Sequence, residues 1–141
     1  MKKTMNYKRV VFKTANHPDH RFGSLTFAEQ DSDIPFSIKR IYWIYDTDEG
    51  ITRGAHAHKK TWQLLFCPFG SLSIDLNDGE NTEQVVLDDP SKGLILPPEI
   101  WHDMTWNIKG SVLCVAASDK YDPDDYLRDY DEYLEYYKGR V

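Results

Sequence analysis

A succession of short β-forming runs, each ended by a strong turn signal, constrains this chain more than any other feature. The runs are YKRVVFK from Tyr7, FGSLTFAE from Phe22, FSIKRIYWIYD from Phe36, TWQLLFCPFG from Thr61, SLSIDLN from Ser71, TEQVVLD from Thr82, KGLILPP from Lys92 and SVLCVAAS from Ser111. Between them stand DEG at Asp48, NDGE at Asn77, DDPSKG at Asp88 and NIKG at Asn107. Runs of this length and spacing build a β-sandwich or barrel. No βαβ alternation appears, which disfavours a parallel sheet. The chain reads as one all-β domain spanning 1–141. Its last stretch, YDPDDYLRDYDEYLEYYKGRV, changes character. Asp122 is a capping residue and Pro123 suits a first helical position. Tyr126, Leu127, Tyr130, Tyr133, Leu134 and Tyr137 then recur at helical spacing. A C-terminal helix over about 123–138 is expected, docked on the sheets or on a partner subunit.

The net charge is −6. That argues against nucleic acid as a partner, which calls for a basic surface. It leaves room for an anionic small ligand held by a few placed arginines. Cys67 and Cys114 sit in apolar runs, so buried free thiols are expected rather than a disulfide framework. No signal-peptide pattern and no apolar run of membrane-spanning length is visible, so a cytoplasmic location is expected.

The chemistry concentrates in RGAHAHKKTWQ, from Arg53 to Gln63. On a strand, His56 and His58 face the same way and Ala57 faces the opposite way. The HXH core, the spacing to Gln63 and the following six residues to Gly70 resemble the first cupin motif, G(X)5HXH(X)3–4E(X)6G, with Gln63 in place of its glutamate. LPPEIWHDMTWN resembles the second motif: Pro97 and His102 keep their spacing, but Glu99 replaces a glycine. The resemblance implies a cupin, a double-stranded β-helix jelly roll with a C-terminal helix. In metal-binding cupins the matching positions are ligands, here His56, His58, Gln63 and His102. A neutral amide at Gln63 loses the charge attraction that a carboxylate gives a cation, so no metal is expected.

Four segments in order, IKRIYWIYD, RGAHAHKKTWQ, GLILPPEIWHDM and ASDKYDPDDYLRDYDEYL, carry a closer resemblance. They are similar to the dTDP-sugar 3,4-ketoisomerases, the FdtA/QdtA or WxcM-like branch of the cupins. The resemblance implies an isomerase that moves the keto group of a dTDP-4-keto-6-deoxy-hexose from C4 to C3 through an enediol. It also implies a homodimer with no cofactor, whose product feeds 3-amino-3,6-dideoxy sugar biosynthesis. Such chemistry needs a base working near neutrality, a proton donor and a stabilised oxyanion. His56 or His58 is the expected base, with the lean towards His58; Tyr42 or the other histidine would manage the C4 proton. Arg40 shares a strand face with Tyr42. It is expected to bind substrate together with Arg53, Gly54, Gln63, Trp101 and His102. The rival readings are a metal-dependent cupin enzyme, a non-catalytic nucleotide-sugar-binding cupin and, ranked low, a sugar epimerase.

Overall fold

The structure is a computed structural model that describes residues 5–140, with side chains as far as Lys138. Twelve strands are described: β1 Lys8–Val11, β2 Lys13–Asn16, β3 Ser24–Phe27, β4 Arg40–Ile44, β5 Thr52–His58, β6 Gln63–Phe69, β7 Leu72–Asn77, β8 Thr82–Leu87, β9 Lys92–Leu96, β10 Trp101–Trp106, β11 Val112–Ala117 and β12 Tyr126–Leu127. One five-stranded sheet has the order β1-β9-β6-β11-β4 and a second has the order β12-β5-β10-β7-β8. The strands within each sheet pair antiparallel. β2 and β3 form a separate hairpin. This is the jelly roll the turn-punctuated sequence called for, with the core between the two sheets.

Period-two alternation decides what enters that core. Along β7, Leu72, Ile74 and Leu76 are buried while Ser73, Asp75 and Asn77 face outward. β10 follows the same rule with unusual residues: His102, Met104 and Trp106 point in, and Trp101, Asp103 and Thr105 point out. Its mixture of aromatic, charged and imidazole side chains hid it among the apolar runs of the sequence. Trp106, Met104, Leu72, Ile74, Leu94, Leu113 and Val115 close one apolar cluster. Further along β10, β5, β6 and β4, the same inward positions become His102, His56, His58, Gln63 and Tyr42. The sandwich is therefore apolar over most of its length and polar at one end.

Gly70 marks a place where backbone geometry rather than packing volume rules. Its φ is +94°, and a Cβ built on it would lie 2.0 Å from Ser111 Oγ and 2.6 Å from Ser111 Cβ. Ser111 cannot retreat, since its Oγ accepts from Ser71 N–H and donates to the Ile108 carbonyl. Gly70→Ala should cost about 2–4 kcal/mol, combining left-handed strain with overpacking. Urea denaturation measures it, and a midpoint matching the parent protein would contradict this account of the turn.

The C-terminal segment departs from expectation. Asp122 does cap a turn, accepting from Asp124 N–H, but that turn is a single 3-10 turn over Pro123–Asp125. Tyr126 then turns extended and β12 pairs with β5, so Tyr126 and Leu127 are strand residues and not part of a helical stripe. The helix α1 spans Tyr130–Arg140, and Asp129 caps it by accepting from Glu132 N–H. Tyr133, fully buried, packs against Ala57 and Leu127. Its hydroxyl donates to the Glu99 carbonyl at 2.8 Å. Helix spacing and strand pairing compete in this stretch, and the free backbone groups on the edge of β5 win for two residues.

Candidate active site

A cavity of about 460 Å³ opens at the polar end of the sandwich. β4 supplies Arg40, Tyr42 and Ile44 to its walls, β5 supplies Arg53, Gly54 and His56, β10 supplies Met104, and the C-terminal segment supplies Tyr126 and Arg128. Three arginines and no carboxylate appear among the described lining residues. A cationic mouth in a chain of net charge −6 is a local arrangement suited to an anion. Arg40 is half-buried and its Nε has no hydrogen-bond partner among the described residues. Its guanidinium carbon lies 5.4 Å from the Tyr42 ring centre.

A bulge aims His56 into this cavity. The β10–β5 register slips so that His102 pairs with His56 while Asp103 pairs with Gly54. Ala55 is the extra residue, at φ +56°. Gly54, at φ +98°, lets β10 come close: a Cβ there would meet the Asp103 Cα at 3.2 Å and the His102 carbonyl at 3.3 Å. The glycine expected to admit a ligand thus also admits a neighbouring strand.

The three imidazoles cluster, with ring centres 5.0 Å apart for His56 and His58 and 4.8 Å for His56 and His102. His56 lines the cavity and neither of its ring nitrogens has a hydrogen-bond partner among the described residues. His58 and His102, each 2% exposed, stand behind it. His58 Nδ1 lies 2.7 Å from Asp125 Oδ2, and His102 Nδ1 lies 3.0 Å from the Ile100 carbonyl. Both acceptors require the hydrogen on Nδ1 and leave Nε2 bare. Burial drives all three pKa values down. His56 falls to about 4, helped by His58; His58 falls to about 4 although Asp125 pulls the other way; His102 falls to about 3. At neutral pH all three are uncharged and able to accept a proton.

Tyr42 is the opposite case. Burial pushes its hydroxyl up to about 12, with Tyr126 adding to the rise and Arg40 opposing it. The hydroxyl therefore keeps its proton. Gln63 Nε2 donates to the Tyr42 oxygen at 2.9 Å, which leaves the hydroxyl hydrogen free to be donated elsewhere. Gln63, the departure from the cupin motif, so acquires a job of its own. Its amide oxygen is a neutral donor that lacks the charge a carboxylate would bring to a cation. Among the described residues no group of three or more His, Cys, Asp or Glu side chains is arranged to hold an ion. The four motif positions do not fit a cupin metal.

The structure brings Arg40, Tyr42, Arg53, Gly54 and His56 to the cavity, and places His58, Gln63 and His102 directly behind it. It does not bring Trp101. His102 points in, so its neighbour must point out, and the indole rests 5.3 Å from the Tyr130 ring and 5.6 Å from the Tyr133 ring. Tyr126, Arg128 and Asp125 were missed. The signal was the alternation Tyr126-Leu127-Arg128, in which Leu127 is buried on the far side, but helical periodicity masked it.

A family model described as WxcM-like, C-terminal (FdtA) matches residues 5–138. The TDP-4-oxo-6-deoxy-alpha-D-glucose-3,4-oxoisomerase of Aneurinibacillus thermoaerophilus is 42% identical over 134 residues, which are 95% of this chain and 91% of that protein. A crystal structure of a 3,4-ketoisomerase from Helicobacter canadensis is 43% identical with a TM-score of 0.90, covering 96% of this chain and 99% of the other. A mutant of the 3,4-ketoisomerase QdtA from Thermoanaerobacterium thermosaccharolyticum, solved with TDP-4-keto-6-deoxyglucose, is 40% identical with a TM-score of 0.91 and covers 99% of both chains.

Proposed function

The chain belongs to the WxcM-like FdtA family, and from that premise we propose that it is a TDP-sugar 3,4-ketoisomerase acting on TDP-4-keto-6-deoxyglucose. The observation that carries the reading is His56, an uncharged imidazole in the wall of a cavity ringed by Arg40, Arg53 and Arg128, with no carboxylate bonded to either ring nitrogen among the described residues. The arginines suit a diphosphate, for which guanidinium groups offer paired donors. Moving the carbonyl shifts one hydrogen from C3 to C4 and another from O3 to O4, so nothing is oxidised overall. His56 takes the C3 proton as the C–H bond breaks, and the electron pair forms the enediolate. The Tyr42 hydroxyl, with Arg40 beside it, meets the developing oxyanion and serves the C4 end. The sequence leaned to His58 as base; the cavity favours His56, which alone of the pair reaches it.

The test is turnover by EDTA-treated protein, with the carbonyl followed by carbon NMR. A 3-keto product is expected. Turnover only after a metal is restored would overturn the metal-free reading, and tight binding without turnover would make the chain a sugar-binding cupin.

The reading includes a homodimer and a cytoplasmic setting. Free thiols at Cys67 and Cys114 are compatible with a reducing compartment. No described helix is long and apolar enough to cross a membrane. For the dimer, the C-terminal aromatic stripe is the weaker support, because Tyr133 spends itself on its own sheet. Stronger support comes from β4, whose outward face exposes Ile41 and Trp43, with Tyr45 just beyond, each near 60%. An apolar row of this kind on a sheet face marks a docking surface. Trp43→Glu should shift the protein to monomer in sedimentation, and an unshifted dimer would move the interface elsewhere.

A further inference from the structure

We infer that Asp125 is a positioning residue for this reaction: it fixes His58 with its hydrogen on Nδ1 and supplies the counter-charge for the imidazolium that forms in the histidine cluster. The inference rests on the reading in the preceding subsection.

Asp125 has the marks of a built position rather than a surface carboxylate. It is 4% exposed. Its Oδ2 accepts from His58 Nδ1 at 2.7 Å and from the Thr61 hydroxyl at 2.5 Å, and its Oδ1 accepts from Lys60 N–H at 2.7 Å. Burial by itself raises the carboxyl, but the bonds from Thr61, His58 and Lys60 outweigh it and hold the group below the usual carboxylate range. It is therefore ionised and can only accept, so the hydrogen of His58 sits on Nδ1. The other nitrogen, Nε2, is buried without a partner among the described residues, within a cluster whose front member is His56. A bare, oriented nitrogen left unsatisfied in a dry interior costs stability, and such a cost is what a proton-handling group shows between turnovers.

Among the described residues His56 has no hydrogen-bonded carboxylate of its own, and His102 leans on a neutral carbonyl. A proton removed from the sugar thus enters a cluster with one hydrogen-bonded negative charge behind it. The backbone delivers that charge to a fixed place. Lys59 N–H donates to the Asp125 carbonyl at 2.8 Å, and Tyr126 pairs with His58 in the β12–β5 ladder. Docking of the C-terminal segment therefore completes the cavity wall with Tyr126 and Arg128 and sets Asp125 against His58 in the same step. It also accounts for why the chain breaks its helical pattern at residues 126–127.

Asp125→Asn removes the charge and allows the amide to face His58 either way. It should lower kcat about 10²-fold or more, with KM changed less than about threefold, because Asp125 does not touch the cavity. The kcat profile against pH should shift as well, read with the other groups facing His58 in mind: His56, His102, Tyr126 and Arg40. Asp125→Glu should restore part of kcat. Nitrogen-15 NMR of the histidines gives a readout that stands apart from activity and needs no variant. Wild-type His58 should show hydrogen on Nδ1, and the Asn variant a mixture. An Nε2–H tautomer in the wild type, or wild-type kcat in the Asn variant, would overturn the inference. Wild-type protein inert on the TDP-sugar would instead remove the ketoisomerase reading, with the tautomer result judging the Asp125–His58 pair by itself.

Discussion

His56→Asn should lower kcat about 10³-fold and leave TDP binding nearly intact. Asparagine keeps the size and a polar tip, but its amide accepts no proton at neutral pH. The nucleotide should bind as before, because the arginines at the cavity mouth are untouched. His56 stands apart from the other two histidines because neither of its ring nitrogens is engaged and it lines the cavity. A pKa near 4 makes it a weak base in the empty protein. Two features offset that weakness. The anionic diphosphate raises the basicity of nearby groups once bound, and Arg40 with Tyr42 lowers the cost of the enediolate that forms. Steady-state kinetics together with calorimetric TDP titration measures the effect. A variant turning over near the parent rate would remove His56 from the role of base.

Acid should unfold this protein early, and the histidine cluster sets where. In the unfolded chain each imidazole takes up a proton below about pH 6.5; in the folded protein His56 and His58 do so only near 4 and His102 near 3. Between those values the unfolded state binds more protons, so the folded state loses stability as pH falls. The stability contribution is whole above 6.5 and drains away towards 4. Depressions of this size correspond to about 3 kcal/mol for His56 and for His58, and about 5 kcal/mol for His102, at the acid end. The three are close enough to interact, so their sum is not three independent terms. Several kcal/mol is nonetheless comparable with the whole stability of a domain this size. Urea midpoints at pH 7.5, 6 and 5 should fall in steps, with unfolding near pH 4 in buffer alone. Equal midpoints at pH 7.5 and 5 would mean that the cluster is far more hydrated than its burial indicates.

Much of this was legible from residue order. The alternation LSIDLN already places Leu72, Ile74 and Leu76 inside β7, and HAH already places His56 and His58 on one face. The strand β10 was legible in principle, since His102 pointing inward turns Trp101 to the outer face, against Tyr130. The Gln63–Tyr42 bond was not legible: it joins β6 to β4, which meet only through β11, and strand order is a property of the whole sheet. Asp125 and Arg128 were hidden for a different reason. Tyr and Leu at helical spacing outvoted a two-residue strand, whose existence depends on the open edge of β5 and not on local preference. Local signals thus found the elements and the imidazoles, while the groups that surround them came from pairing across the fold.

We propose proton transfer through an enediol, with His56 acting at C3 and Tyr42 serving C4. Incubating EDTA-treated protein with TDP-4-keto-6-deoxyglucose in D2O, and following the sugar by proton NMR, tests it most directly. The account expects a 3-keto product carrying deuterium at C4, with loss of the original H3 signal. Product formed with no solvent deuterium at C4, and with the label of a C3-deuterated substrate carried across intact, would show that the same hydrogen passes from C3 to C4 and would contradict separate groups at the two carbons.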